Sequence, residues 1–175
     1  MVTIEISPSF DSLIAWLRQV ETRKHNLRGA WPFVEKQFRV ETKAQFAGEG
    51  TSPGTGLARW APLSMVYRLW KEENYPGKPI LELTGALKRA FATGRGGSIT
   101  RTAMTWEFAP GIKTDSGYDL AKLHHTGTSR MPSRPPFRIP NEIGERMVAR
   151  PVMDYICGKT GPALTKKFPA KVVGA

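Results

Sequence analysis

His124-His125 is the pair in this chain best placed by residue type to do acid–base work or to bind a metal. Imidazole titrates near neutrality and is a common metal ligand. Two adjacent histidines still need further ligands, and the remaining one, His25, lies in a distant segment. Neither His-x-x-x-His nor His-Glu-x-x-His spacing occurs. The pair therefore predicts structural roles: His124 bonded to backbone at a helix end near Gly127, and His125 facing out. Ser64 follows Pro62-Leu63 where a Gly-x-Ser-x-Gly elbow would be required of a nucleophile, and Ser133 sits among prolines. Gly94-Arg95-Gly96-Gly97-Ser98 lacks the Gly-Lys-Ser/Thr ending of a phosphate loop and precedes a strand pattern, so it predicts a turn. The carboxylates Glu72, Glu73, Glu82, Glu107, Asp115, Asp119, Glu142 and Glu145 show no pairing suited to acid–base catalysis. Glu72-Glu73 beside Lys71 predicts a solvated helix end. Cys157 is the single cysteine, which excludes an intrachain disulfide and multi-cysteine metal sites. It reads as a buried or half-buried structural thiol. The expectation is a chain with no catalytic residues, no cofactor and no metal.

Two segments are better suited to contact than to catalysis. In Arg59-Trp60-Ala61-Pro62-Leu63-Ser64, the tryptophan offers a large apolar face whose N–H needs a partner. Pro62 fixes the backbone, and Ser64 can cap a helix carrying Val66, Tyr67 and Trp70. The segment is either a core anchor or an aromatic-and-arginine contact with a neighbouring subunit. In the stretch from Met131 to Phe137, prolines lower the entropy lost on docking, and Arg134 presents a planar fork of donors for a carboxylate. It is either a surface loop or an intersubunit contact.

The elements that must position these residues follow from periodicity. Val2, Ile4 and Ile6 alternate as a short strand. Phe10, Leu13, Ile14, Leu17 and Val20 recur at helical spacing, predicting a first helix over 11–26 with Asp11 or Ser12 as its cap. A second helix is predicted over 32–47, with Pro32 in its first turn and Trp31, Val34, Phe38 and Phe46 on one face. The two form either a hairpin or a kinked rod. Residues 48–58 are a glycine-rich loop. A short helix is predicted over 64–73 and another from Leu81 to Phe91. Met104, Trp106 and Phe108 alternate as a half-buried strand, with Ile99 and Ala103 on the opposite phase and Ile112 as the start of a partner strand. A helix is predicted over 119–126 and a last strand at Phe137 and Ile139. Asn141 should cap a final helix bearing Ile143, Met147 and Val148 and ended or kinked at Pro151.

Length and charge bound the whole. The 175 residues suit one domain, here 1–157, followed by a flexible basic tail over 158–175. The 17 glycines and 14 prolines call for long irregular connections. Lys and Arg number 26 against 15 acids, giving +11, but the cations are spread along the chain without a dense block. The charge reads as a solvated basic surface, with a basic nucleic-acid-binding module as the alternative. No apolar run is long enough for a membrane span and the first residues do not resemble a secretion signal, so a cytoplasmic origin and no membrane partner are expected.

Four segments, in fixed order, resemble the phage virion morphogenesis family of tail-completion proteins. The family pattern is Trp-x-Pro-Leu-Ser, Ile-Leu-x-x-Thr-Gly-x-Leu, Tyr-Ala-x-x-His-Gln-x-Gly and Pro-x-Arg-Pro-Phe. Trp60, Pro62, Leu63 and Ser64 match the first, preceded here by Arg59. Ile80, Leu81, Thr84, Gly85 and Leu87 match the second. Ala121, His124 and Gly127 match the third, with Leu120 in place of Tyr and His125 in place of Gln. Pro132, Arg134, Pro135 and Phe137 match the fourth, with Pro136 inserted. The resemblance implies an α+β fold, N-terminal helices packed on a small, mainly antiparallel sheet with long loops. It further implies a structural protein of the virion tail or neck, assembled in the bacterial host cytoplasm. The partners it implies are other copies of the chain in a ring, sixfold in connectors of this kind, and tail-tube, terminator, head-completion or connector proteins. DNA passing through the virion channel is a further implied contact.

Overall fold

The computed structural model describes residues 10–161, with side chains described from Leu13 onward. The strand expected at 2–6 and the tail from 162 lie outside these residues. The chain folds as mixed α+β, organised around one long helix. That helix, α2 (Trp31–Ala47), starts with Pro32 in its first turn, where a missing N–H costs nothing. Trp31, Val34, Phe38 and Phe46 line its buried face as their spacing requires. Phe38 is the hub. Its ring centroid lies 5.2 Å from Trp106, 5.2 Å from Phe108 and 4.8 Å from Phe137, the last edge-on. Phe46 meets Trp60 edge-on at 5.4 Å. Leu87, Phe91, Ala121, Ile143 and Met147 complete this cluster.

The same face of α2 also carries buried polar groups, of which Glu41 and Gln45 are matched and the Thr42 hydroxyl is not. Gln45 donates to the Arg138 carbonyl (2.7 Å) and accepts from the Arg138 N–H (2.9 Å), as a paired strand would. Glu41 receives two bonds from Arg146, at 3.0 and 3.1 Å, so a charge buried in the core has a bidentate partner. A π-helical turn, Glu145–Ala149, joins α6 (Asn141–Gly144) to α7 (Arg150–Ile156) and turns Met147 inward beside Ile143. Pro151 falls in the first turn of α7 and neither ends nor interrupts the helix. Asn141 is the first residue of α6 and makes no cap bond.

Several expected elements differ. The first helix, α1 (Phe10–Lys24), takes Asp11 and Ser12 inside it and is followed by a 3₁₀ turn, Leu27–Gly29. Leu13, Ile14 and Leu17 face solvent. Arg23 instead holds α1 to α7, with Nη1 donating to the Tyr155 carbonyl (2.6 Å) and the guanidinium 4.9 Å from the Tyr155 ring. The stretch 98–108 is a hairpin, β1 (Ser98–Arg101) paired antiparallel with β2 (Trp106–Ala109), in place of one strand with a partner at Ile112. The Thr102 hydroxyl accepts from the Thr105 N–H (2.9 Å) and reverses the chain. The phase change between Ile99 and Trp106 is the signature of that turn. Helix α4 (Ala86–Thr93) begins five residues later than Leu81, because Leu81 (φ 62°) and Gly85 (φ 74°) are left-handed. No strand forms at 137–139; Phe137 packs on the core from irregular backbone. Residues 158–161 are tied back: the Lys159 and Thr160 N–H groups both reach the Asp154 carbonyl, at 2.7 and 3.2 Å.

Candidate functional site

The four sequence segments meet in space. Helix α3 (Met65–Asn74) starts at Ser64, whose Oγ accepts from the Tyr67 N–H at 3.4 Å, as a cap should. Upstream, Trp60 is 4% exposed, and its indole N–H donates to the Pro135 carbonyl at 2.8 Å. Arg134, also 4% exposed, donates from Nε to the Ala61 carbonyl (2.6 Å) and from Nη2 to the Pro62 carbonyl (2.8 Å). Its own N–H donates to the His124 carbonyl at 2.7 Å. The first, third and fourth segments are thus stapled together by one arginine and one tryptophan. Arg134 binds carbonyls inside the chain, so the fork expected to meet an outside carboxylate is largely spent. Trp60 is a core anchor.

The third segment forms α5 (Leu120–Thr126), capped by Asp119, whose carboxylate accepts from the Lys122 N–H at 2.9 Å. Ala121 is buried against the core. Gly127 (φ 72°) lets the fourth segment approach: a Cβ there would stand 2.7 Å from the Ser133 nitrogen and 2.8 Å from the Met131 carbonyl oxygen. Ser133 Oγ donates to the His125 carbonyl at 2.5 Å. His125 is exposed and Pro132 lies on the surface. Arg59 is exposed, its guanidinium 3.9 Å from Glu49.

The second segment closes the arrangement. Leu81, Thr84, Gly85 and Leu87 form one wall of a groove of about 470 Å³. Leu63, Ser64, Leu120, His124, Pro132 and Arg134 belong to the other walls, so every segment contributes. Phe137 and Pro135 stand outside it, on the core side. The lining is mostly aliphatic. Lys71 is the residue that sequence reasoning missed. Read as part of a solvated helix end, it is 5% exposed, with Nζ donating to the Pro79 carbonyl at 2.5 Å. Only its position one turn after Tyr67 on α3 hinted at this. Burial lowers the Lys71 ammonium below its ordinary value, against the attraction of Glu82 and Glu49. Burial, reinforced by the nearby Arg134 charge, also lowers His124. The enclosed Nδ1 of His124 makes no hydrogen bond, although a backbone partner was expected for it.

Chemically, the arrangement is suited to binding and to holding loops in register. Ser64 Oγ serves a helix cap and Ser133 Oγ a carbonyl. Among the described residues no cluster of three or more His, Cys, Asp or Glu side chains could hold a metal ion. No described helix is long and apolar enough to cross a membrane. No protein-family model, curated protein or solved structure matches the chain.

Proposed function

We propose that the chain is a non-catalytic structural subunit of a tailed bacteriophage, completing the tail or joining tail to head. The observation that carries this reading is the convergence of the family-like segments. Residues 59–64, 80–87, 120–127 and 132–137 resemble one family in order, and all four line one groove, the first, third and fourth joined by direct hydrogen bonds. Helix α3 supports it further. Met65, Val66, Leu69 and Trp70 are 66%, 82%, 57% and 43% exposed, an uncovered apolar face suited to neighbouring subunits. Such a face presents roughly 500 Å² of side chain, the upper range for a monomer and the scale of a binding surface. Its partners in this reading are other copies of the chain in a ring and the adjoining tail or connector proteins, in the tail or neck of the virion.

Negative-stain microscopy of lysates from a phage with this reading frame interrupted tests the reading. Filled heads lying apart from tails, or tails with abnormal ends or length, are expected. Intact virions overturn it.

A second reading, a basic nucleic-acid-binding module, has one specific observation behind it. Lys36, Arg39, Lys43 and Arg101 line a shallow hollow beside α2 in which Glu35 is the one acid. Glu35 pairs with both Arg39 and Arg101, which leaves the hollow net positive. This reading predicts DNA binding that falls steeply with salt and weakens in Lys36→Ala/Lys43→Ala.

A further inference from the structure

The groove encloses more positive charge than its own acids use. Lys71 makes one hydrogen bond, to a carbonyl, and no ion pair, although an ammonium has three donors. The acids that influence it are engaged elsewhere. Glu82 lies 2.6 Å from Lys88, and Glu49 Oε1 accepts from the Ile80 N–H at 3.2 Å. Arg134 commits Nε and Nη2 to carbonyls and leaves Nη1 without a bond in the same groove. His124 Nδ1, on the same groove, is enclosed and has no partner. Buried charges are ordinarily paired with an opposite charge. Two nearly buried cations with donors to spare, facing an aliphatic cavity of about 470 Å³, describe half of a recognition site.

We propose that this groove binds a segment of another polypeptide that presents one Asp or Glu carboxylate between apolar residues, with Lys71 as its ion-pair partner. Charge complementarity selects the carboxylate: lining cations Lys71, Arg130 and Arg134 face the single lining acid, Glu82. The lining selects apolar neighbours on both sides of it, because Leu63, Leu81, Leu83, Leu120 and Met131 surround the site. An extended segment supplies both at once, as a chain presenting side chains to separate subsites does in known peptide grooves. Lys71 then gains the partner it lacks, and its ammonium is held charged. The recognition chemistry is the groove's own, and it is the same whether or not the chain serves in a virion.

Random linear heptapeptides displayed on particles and panned on the full chain test the site, at salt high enough to screen surface charge. Lys71→Met serves as counter-selection. The substitution removes a nearly buried charge and leaves the Pro79 carbonyl without its hydrogen bond, so a cooperative urea transition is required of the variant before panning. Enriched peptides are expected to carry one Asp or Glu flanked by apolar residues. By calorimetry, changing that acid to Asn or Gln should weaken binding to the wild-type chain by about tenfold or more, a comparison that needs no variant. Lys71→Met should show the same loss, and Lys71→Arg should recover part of it. Enrichment of peptides without an acid, equal retention by Lys71→Met, or no enrichment at all overturns the proposal. Lys71-dependent binding of decanoate without binding of any peptide also overturns it and assigns the groove to a small amphiphile.

Discussion

Helices α2 and α3 carry comparable apolar residues and use them in opposite ways. Along α2, Trp31, Val34, Phe38 and Phe46 turn inward, and of the polar groups buried with them Glu41 and Gln45 find partners in Arg146 and the Arg138 backbone while the Thr42 hydroxyl finds none. Along α3 the buried residue is Lys71, while Met65, Val66, Leu69 and Trp70 point outward. An apolar stripe therefore predicts that a helix forms and has two unlike faces. It does not say which face the chain itself covers. The α2 face stabilises this chain. The α3 face stays exposed, and α1 repeats the pattern with Leu13, Ile14 and Leu17.

That contrast is open to direct attack. The largest effect belongs to the hub of the α2 face: Phe38→Ala removes contacts with Trp106, Phe108 and Phe137 and should destabilise by about 3–5 kcal/mol in urea unfolding. A loss below about 1 kcal/mol would mean the aromatic cluster is not what holds the hairpin to α2. Next is the staple between the segments. Arg134→Met strands the Ala61 and Pro62 carbonyls and should cost about 2–3 kcal/mol by the same measurement, loosening the groove more than the core. Amide exchange should rise across 59–64 and 127–135 ahead of α2.

The acid response sharpens the comparison further. His124 titrates below its ordinary value in the folded chain, so the unfolded chain takes up the proton first as pH falls. Stability should therefore drop between the ordinary histidine value and the lowered one. Above the ordinary value His124 makes no such contribution. Melting curves across this range should flatten in His124→Gln. Glu35 acts at lower pH: burial opposes its ionisation, but bonds from Arg39 and Arg101 prevail and lower it. The stability it contributes is present above the ordinary carboxylate range and is lost as pH falls through the lowered value. The smallest effect on stability, and the most telling, is on α3. Leu69→Glu, at an exposed site, should change unfolding free energy by no more than about 0.5 kcal/mol. It should nevertheless reduce self-association seen by sedimentation, if the outer face is an assembly surface. Unchanged sedimentation, or a fold that collapses, would put the two helices in one class after all.

Much of the framework was legible in the sequence. Pro32 and the spacing of Trp31, Val34 and Phe38 place α2 within a residue of where it forms, and Ser64 caps α3 as read. The hairpin was half-legible: the phase change at residues 99–106 was visible, but the Thr102 turn that explains it depends on backbone reversal. The start of α4 was misplaced because Leu81 in a left-handed conformation is a tertiary outcome that no propensity anticipates. At the site, the order of the segments was readable and their mutual contacts were not. Trp60 to Pro135 and Arg134 to Ala61 are bonds across more than seventy residues.

By itself, then, the sequence determined that the chain holds α2, α3 and α5 close to where they form, that residues 48–58 form no helix, and that the chain is strongly basic. These are local properties, set by spacing, by φ preferences and by counting charges. Only the tertiary structure decided which apolar faces the chain covers, that Lys71 lies buried without an acid bonded to it, and that Arg134 serves the chain's own carbonyls. Burial and pairing depend on what lies across the fold, and the separation of two residues along a chain says nothing about that.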